Sequence, residues 1–329
     1  MTFNFFGRVM KKVLILTYEE DPHATYVENH LRDLGIPFLH INTDKLIGNY
    51  KLTFDSASGL YVVHQQGKNH VIDTTWNIWN RRVMDPELPK DIPKELEDIV
   101  FTETERAWEG LLFTHQGRVV NRPQANFAAN NKVDQLCFAR NYGGNIAIPE
   151  TLLTNDPEAA SVFFQKYSPI CHKLQKAALV KRGEEYLTTY NNLVNAEQMR
   201  QIDLIARNPS LFQAYIDKAY EIRITALEHT VIGIAIHSQD SAQSRLDYRR
   251  YDFENVPYTH VELPDHVTQF CSDMIRHYGL LFAEFDFIYT KNREYVFLEL
   301  NPNGQWLWLE LKSQYPLSKD VAQNLLGVA

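Results

Sequence analysis

Apolar and polar positions alternate along this chain in blocks that change period. Lys11–Tyr18 (KKVLILTY) is a buried-type apolar run, residues 24–35 (ATYVENHLRDLG) carry a helical stripe ending at Gly35, and residues 37–42 (PFLHIN) read as a second strand. That order predicts a βαβ unit with a parallel sheet. Residues 51–66 read as a hairpin around the turn SASG. Residues 76–93 begin as a strand (WNIWN) and dissolve into a proline-marked loop, and residues 95–115 carry a long helical stripe.

The middle of the chain predicts a helix over 126–142 stopped by Gly143 and Gly144, and a second helix over 157–167 capped by Asn155-Asp156. Residues 169–180 and 185–194 flank the turn KRGE, as in an antiparallel hairpin, and residues 195–210 supply another helix. From Leu211 strands dominate to Asn301. With no internal repeat, the organisation expected is three α/β units in series, over residues 1–125, 126–212 and 213–329.

Composition narrows the function classes. Hydrophobic residues make up 44% and charged residues 22% of 329, enough for real cores and against a disordered chain. A net charge of -8 with no basic block argues against nucleic acid as a partner. The three cysteines, Cys137, Cys171 and Cys271, form no CxxC pair, which suits a reducing, cytoplasmic setting with each read as a small buried apolar residue. The start MTFNFFGRVMKK has neither the apolar length nor the cleavage site of a signal peptide or membrane anchor, and Met10 is a candidate initiator.

The chemistry-bearing segment lies near the C-terminus, where the apolar runs LLFAEFDFIYT and EYVFLELN flank a polar turn. With the turn centred between Asn292 and Arg293, Asp286 falls opposite Glu299. Directly opposed side chains lie about 5 Å apart at Cβ and like charges there repel, so the pair calls for a cation. Alternation puts Asn301 on the face of Glu299, completing an all-oxygen set suited to magnesium held against a nucleotide. The competing reading is a pair of ordinary salt bridges at a strand edge.

No Walker A sequence and no GxGxxG follows a strand, so phosphates need other partners. Lys173, in the apolar strand PICHKLQKA, requires a compensating anion, and Lys132 heads a helix whose dipole disfavours a cation there. Each is a candidate phosphate contact or a solvated lysine. The segment Gln213, Ala214, Tyr215 and Ile216 ends a strand whose backbone is placed to read an adenine edge.

These stretches together resemble a family: ATP-grasp ligases, and within them the maturases of microviridin-like peptides, the graspetides. The likeness runs from about Lys11 to Gly327 and rests on WNIWNRR, NKVDQLCFARNYGGNIAIPETLLTND, CHKLQKA with TTYNNLV, LFQAYIDKAYEIRI, LDYRR, and FDFIY with ELNPNGQW. It implies an ATP-grasp fold of three α/β domains binding the nucleotide between the last two, with ATP and Mg2+ as cofactors. By resemblance, Asp286, Glu299 and Asn301 hold the metal and Lys132 and Lys173 the phosphates. Gln213 to Ile216 form the adenine hinge, and Glu221 lies near the ribose. Arg223 and Arg249 face the transferring phosphate and the reacting carboxylate. Asp247 is either a base or the partner that orients Arg249.

The activity implied is ATP-dependent macrocyclisation of a precursor peptide, leader plus core, by acyl phosphate activation of Asp or Glu and attack by Thr, Ser or Lys. The leader would meet residues 175–207, with Lys176, Lys181 and Arg182, and a homodimer is compatible. The rival activity is addition of an amino acid such as glutamate to an acceptor, and a third reading is a nucleotide-binding scaffold without turnover. Two departures from the family pattern, Tyr248 in place of tryptophan and Asn80 in place of an aromatic, are expected to lie away from the chemistry.

Overall fold

The computed structural model describes residues 10–328 apart from 145, 176–178, 183–184, 189–191 and 251, and gives the backbone alone for 179–182 and 185–188. The first sheet is wholly parallel, in the order Phe38–Asn42, Lys12–Thr17, Trp76–Asn80, Val119–Val120. A central parallel strand is covered on both faces, which is why Lys12–Thr17 reads as an unbroken apolar run: Val13 and Ile15 enter one cluster, Leu14 and Leu16 another. The helix Pro22–Asp33 follows, capped by the Asp21 carboxylate and left through Gly35 at φ 66°. The hairpin Lys51–Asp55 with Leu60–Gln65 gains a third strand, Lys68–Ile72.

Two expected helices differ from their sequence pattern. The stretch 126–142 is two helices, Pro123–Ala129 and Lys132–Tyr142, because Asn131 Oδ1 accepts from the N–H groups of Val133 and Asp134 and restarts the helix there. The stretch 195–210 holds one turn of helix, Ala196–Met199, closed by an Asn195/Gln198 capping box, and a 3₁₀ segment, Ile202–Arg207. The backbone pairs Leu179–Arg182 with Glu185–Thr188, and Cys171 and His172 with Leu193 and Asn192, so the central hairpin is present. Its base belongs to an antiparallel sheet ordered Asn192–Leu193, Ile170–Lys173, Ser210–Ala214, Thr151–Thr154.

The last sheet has six strands, ordered Tyr258–Val261, Val231–Ile236, Lys218–Leu227, Phe282–Thr290, Tyr295–Asn301 and Ile146–Ala147. Strands do not run on unbroken to Asn301: the helix Asp265–Tyr278 interrupts them and covers one face. Its buried Val267, Phe270, Cys271, Met274 and Ile275 meet Ile222, Ile224, Phe285, Phe287 and Phe297 of the sheet. Residues between those, Glu221, Arg223, Thr225, Glu284 and Asp286, face the other way. The helix Lys132–Tyr142 and the strand Ile146–Ala147 join this last sheet, so the middle stretch of the chain is shared between two layers. The C-terminal helix Leu317–Leu326 returns to the first sheet, where Asn77 Nδ2 donates to the Leu325 carbonyl at 2.8 Å.

Cys171 and Cys271 are buried as expected, whereas Cys137 is exposed on the outer face of its helix. Among the described residues no helix is long and apolar enough to cross a membrane. Phe270 is fully buried against Phe287, Phe297 and Tyr142. Phe270→Ala is therefore expected to cost about 3–5 kcal/mol of unfolding free energy in urea denaturation; a loss below about 1 kcal/mol would contradict its place in the core.

Candidate active site

The polar face of the last sheet gathers most of the expected site. Asp286 pairs in register with Glu299, and Glu284 with Asn301. The facing is reached by a different route from the expected one. Thr290 and Glu294 close the turn about Asn292, with Arg293 at φ 67°, which by itself would put Asp286 out of step with Glu299. A bulge at Leu298 restores it: Phe287 pairs Phe297, and the extra residue turns Glu299 away from the apolar face that Phe297 occupies.

The opposed carboxylates are compensated by side chains from three other segments. Arg223, opposite Asp286 on the neighbouring strand, donates from a terminal nitrogen to Asp286 Oδ1 at 2.8 Å and from Nε to Glu284 Oε2 at 2.9 Å. Although burial opposes it, Asp286 and then Tyr248 and Glu284 raise the Arg223 pKa. Burial pushes the Glu284 carboxyl up to about 7, against Arg223 and Thr225, whose hydroxyl donates to it at 2.7 Å. Lys132 Nζ lies 2.6 Å from Glu299 Oε2, the outside partner that its place at a helix N-terminus demands. Burial would raise Glu299, but Lys132 and then Lys173 hold its carboxyl well below the usual carboxylate range. Burial lowers Lys173 itself while Glu299 raises it, and no ion pair reaches Lys173 among the described residues.

Tyr248 corrects an expectation. Its hydroxyl donates to Asp286 Oδ1 at 3.0 Å, so a residue expected to lie away from the chemistry touches the centre of the site. Its ring stacks on Trp308 at 5.7 Å. Asn80 is more remote, donating from Nδ2 to the Asn121 carbonyl at 2.9 Å. Asn121 in turn binds the backbone of Leu281, Phe282 and Pro302, fixing the base of both site strands.

Arg249 grips Asp247 with two nitrogens, Nε to Oδ1 at 2.9 Å and a terminal nitrogen to Oδ2 at 2.6 Å. Burial opposes it, yet Asp247 raises the Arg249 pKa. Both oxygens of Asp247 thus serve Arg249, the geometry of an orienting partner. Glu221 is buried, with Lys218 Nζ at 2.5 Å from Oε1 and the Ser238 hydroxyl on Oε2; burial raises its pKa and Lys218 opposes. Gln213 is buried with Nε2 donating to Thr151 Oγ1 at 3.1 Å, while the Ala214 and Tyr215 N–H groups donate to the Glu150 and Pro169 carbonyls. Lys176 and the side chains of Lys181 and Arg182 lie outside the described residues.

Several contributors escape sequence reasoning. Glu284 was signalled by the alternation E-F-D-F and shares the face of Asp286. Gln135 donates to the Leu300 carbonyl and accepts from its N–H, both at 2.8 Å, docking the helix that carries Lys132 beside Glu299. Arg81 of the first sheet donates to the Asn303 and Gly304 carbonyls, at 3.1 and 3.2 Å. Gly304 is the reason for glycine in NPNGQ: a Cβ there would overlap Glu284 and Arg223.

The donor set fits a magnesium ion. Arg223 and Tyr248 both bind Asp286 Oδ1, Oδ2 has no hydrogen-bond partner among the described residues, and Glu299 and the Asn301 amide add hard oxygens on the same face. The described residues hold no cluster of three or more His, Cys, Asp or Glu able to bind a metal, and the oxygens available to such an ion here are two carboxylates and an amide.

Comparison with known proteins bears on the fold. Residues 12–126 match the family described as the MvdD pre-ATP grasp domain. A Chryseobacterium gregarium RiPP-associated ATP-grasp ligase, solved with ADP and a leader and core peptide, superposes at TM-score 0.89 with 24% identity over 97% of each chain. The macrocyclase MdnB from Microcystis aeruginosa MRC superposes at 0.78 with 28% identity, over 96% of this chain and 99% of its own. D-alanyl-alanine synthetase A from Vibrio cholerae is more distant, at TM-score 0.59 and 12% identity over 97% and 98%. No curated protein sequence matches the chain.

The depressed Glu299 pKa gives a test of the ion pair. Its stabilisation is complete above the unfolded carboxylate value of about 4.3 and fades as pH falls below it. In urea denaturation between pH 7 and pH 3, the wild type is expected to lose more stability than Glu299→Gln; parallel curves would contradict the pairing with Lys132.

Proposed function

We propose, with the ATP-grasp fold as premise, that the chain is an ATP-dependent macrocyclase of a ribosomally synthesised precursor peptide. The observation that carries the reading is the meeting of Asp286, Glu299 and Asn301 with Lys132 and Arg223 on one face of the last sheet. The sequence resemblance and the structural neighbours fall on the same group of peptide-modifying ligases. The division into residues 1–125, 126–212 and 213–329, with the leader meeting residues 175–207, belongs to the same proposal. So does a cytoplasmic setting, supported by Cys137, Cys171 and Cys271, which are all free thiols.

A carboxylate is a poor acceptor for a hydroxyl at neutral pH, so activation comes first. One oxygen of a peptide Asp or Glu attacks the γ-phosphorus of ATP, the bond to the β,γ-bridging oxygen breaks, and ADP leaves. A Thr or Ser hydroxyl, or a Lys amine, then adds to the acyl carbon, phosphate departs, and the nucleophile's proton is released. Asp286, Glu299 and Asn301 would hold magnesium, which when bound neutralises charge on the phosphate oxygens.

The chain's own residues do the rest. Lys132 and Lys173 face the phosphates, and the half-buried Lys173, which has no ion pair among the described residues, gains an anion there. Gln213, Ala214, Tyr215 and Ile216 form the adenine hinge, in which Ala214 and Tyr215 commit their N–H groups to Glu150 and Pro169. Arg223 and Arg249 stabilise charge on the transferring phosphoryl group and the reacting carboxylate, preorganised by Asp286 and Asp247. Asp247 acts by orienting Arg249.

Asp286→Asn and Glu299→Gln are each expected to lower turnover by about 10²-fold or more while the protein stays folded. The assay combines the enzyme, ATP and magnesium with the small Thr- and Glu/Asp-rich peptide sought in a neighbouring reading frame. Mass spectrometry of the peptide should show loss of one water per ring. Gain of an amino-acid residue mass would identify an amino-acid ligase instead, and full activity in either variant would refute the metal assignment.

A further inference from the structure

Lys218 has no part in the scheme above, yet it is 4% exposed and its ammonium group reaches two places at once: Glu221 Oε1 at 2.5 Å and the Leu246 carbonyl at 3.1 Å. Three residues apart on a regular strand, Lys218 and Glu221 would point to opposite faces. A bulge at Ala219 changes this, since Lys218 pairs Thr290 and Tyr220 pairs Tyr289, and it turns the lysine onto the face of the glutamate. The second oxygen of Glu221 accepts from Ser238, the first residue of the 3₁₀ turn Ser238–Asp240, at the head of the connection that leads to Asp247 and Arg249. That connection is stitched internally, by Ser244 Oγ to the Ser238 carbonyl at 2.9 Å and Gln239 Nε2 to the Arg245 carbonyl at 2.9 Å. Glu221 is thus held at both oxygens by groups tied to the segment carrying Arg249.

We infer that Lys218 is a positioning residue that ties Glu221 to the 238–250 connection, so that a nucleotide resting on Glu221 fixes Arg249 for phosphoryl transfer. The inference rests on the proposed place of Glu221 beside the ribose. Two oxygens offer about four acceptor sites, so the contacts to Lys218 and Ser238 leave room for ribose hydroxyls. A hydroxyl bound there orders the carboxylate, the carboxylate orders Lys218 and Ser238, and these hold the two ends of the connection.

The test uses Mg·ADP as probe, with calorimetry for binding and hydrogen exchange for residues 238–250. In the wild type Mg·ADP should slow exchange there by about tenfold. In Lys218→Met the nucleotide should still bind while this protection disappears; Lys218→Arg should restore part of it. Because Lys218→Met leaves Glu221 buried without its cation, Ser238→Ala, which keeps that cation and cuts the other link between Glu221 and the connection, serves as the folded companion, with the same expectation of binding without protection. Full protection in these variants, or a wild type that binds Mg·ADP without protection, would overturn the inference. Loss of binding in Lys218→Met would make Lys218 a binding residue and overturn it equally. A wild type that gives no heat with Mg·ADP would bring down the nucleotide site itself, a separate and recognisable failure.

Discussion

A guanidinium set between two carboxylates is the interaction on which the rest of the site depends. Arg223 lies nearly buried with Glu284 on one nitrogen and Asp286 on another, and a guanidinium at that depth needs such partners. Removing one partner from such a group costs about 3–5 kcal/mol, because the remaining charge is left buried. Every neighbouring feature follows from accommodating it. Gly304 omits a side chain where Arg223 and Glu284 need room, Thr225 donates to the free oxygen of Glu284, and Arg81 reaches across from the first sheet to hold the backbone of Asn303 and Gly304.

The same compensation explains why a face so rich in charge survives inside an α/β core. The opposite face of the sheet is closed by phenylalanines and the helix Asp265–Tyr278, which makes it rigid. A rigid sheet holds Arg223, Asp286 and Glu299 at a fixed spacing. Lys132 and Tyr248 then arrive from separate segments, each docked by its own contacts: Gln135 on the Leu300 backbone for one, Trp308 under the ring for the other. The charges a nucleotide and metal would meet are therefore set before either binds, the condition under which electrostatic stabilisation is most effective.

Much of this was legible in the residue order, and where it was not the reasons are physical. The acids were findable because charge inside an apolar hairpin is expensive, and Lys132 because a cation at a helix start needs an outside partner. The bulge at Leu298 was not, since nothing in YVFLELN marks an extra residue; the opposed pair came out right only because a shifted turn and a bulge cancel. Glu284 obeyed the alternation already used for Asp286. Tyr248 was hidden for another reason: its contact spans 38 residues of sequence and depends on how the 238–250 connection folds back over the sheet.

Helix boundaries failed in a similar way. The stripe over 265–278 is regular, with Val267, Phe270, Cys271, Met274, Ile275 and Tyr278 on one side, but it sits between strands whose apolar density masks its period. The break at Asn130-Asn131 turns on one side-chain carbonyl capping two amides, a choice that the apolar pattern on either side does not record. That break is also what makes Lys132 the first residue of a helix rather than a position inside one. A continuous helix would carry the ammonium elsewhere, and Glu299 would lose the partner that keeps it ionised. A local capping decision thus reaches the chemistry of the sheet through one ion pair of 2.6 Å.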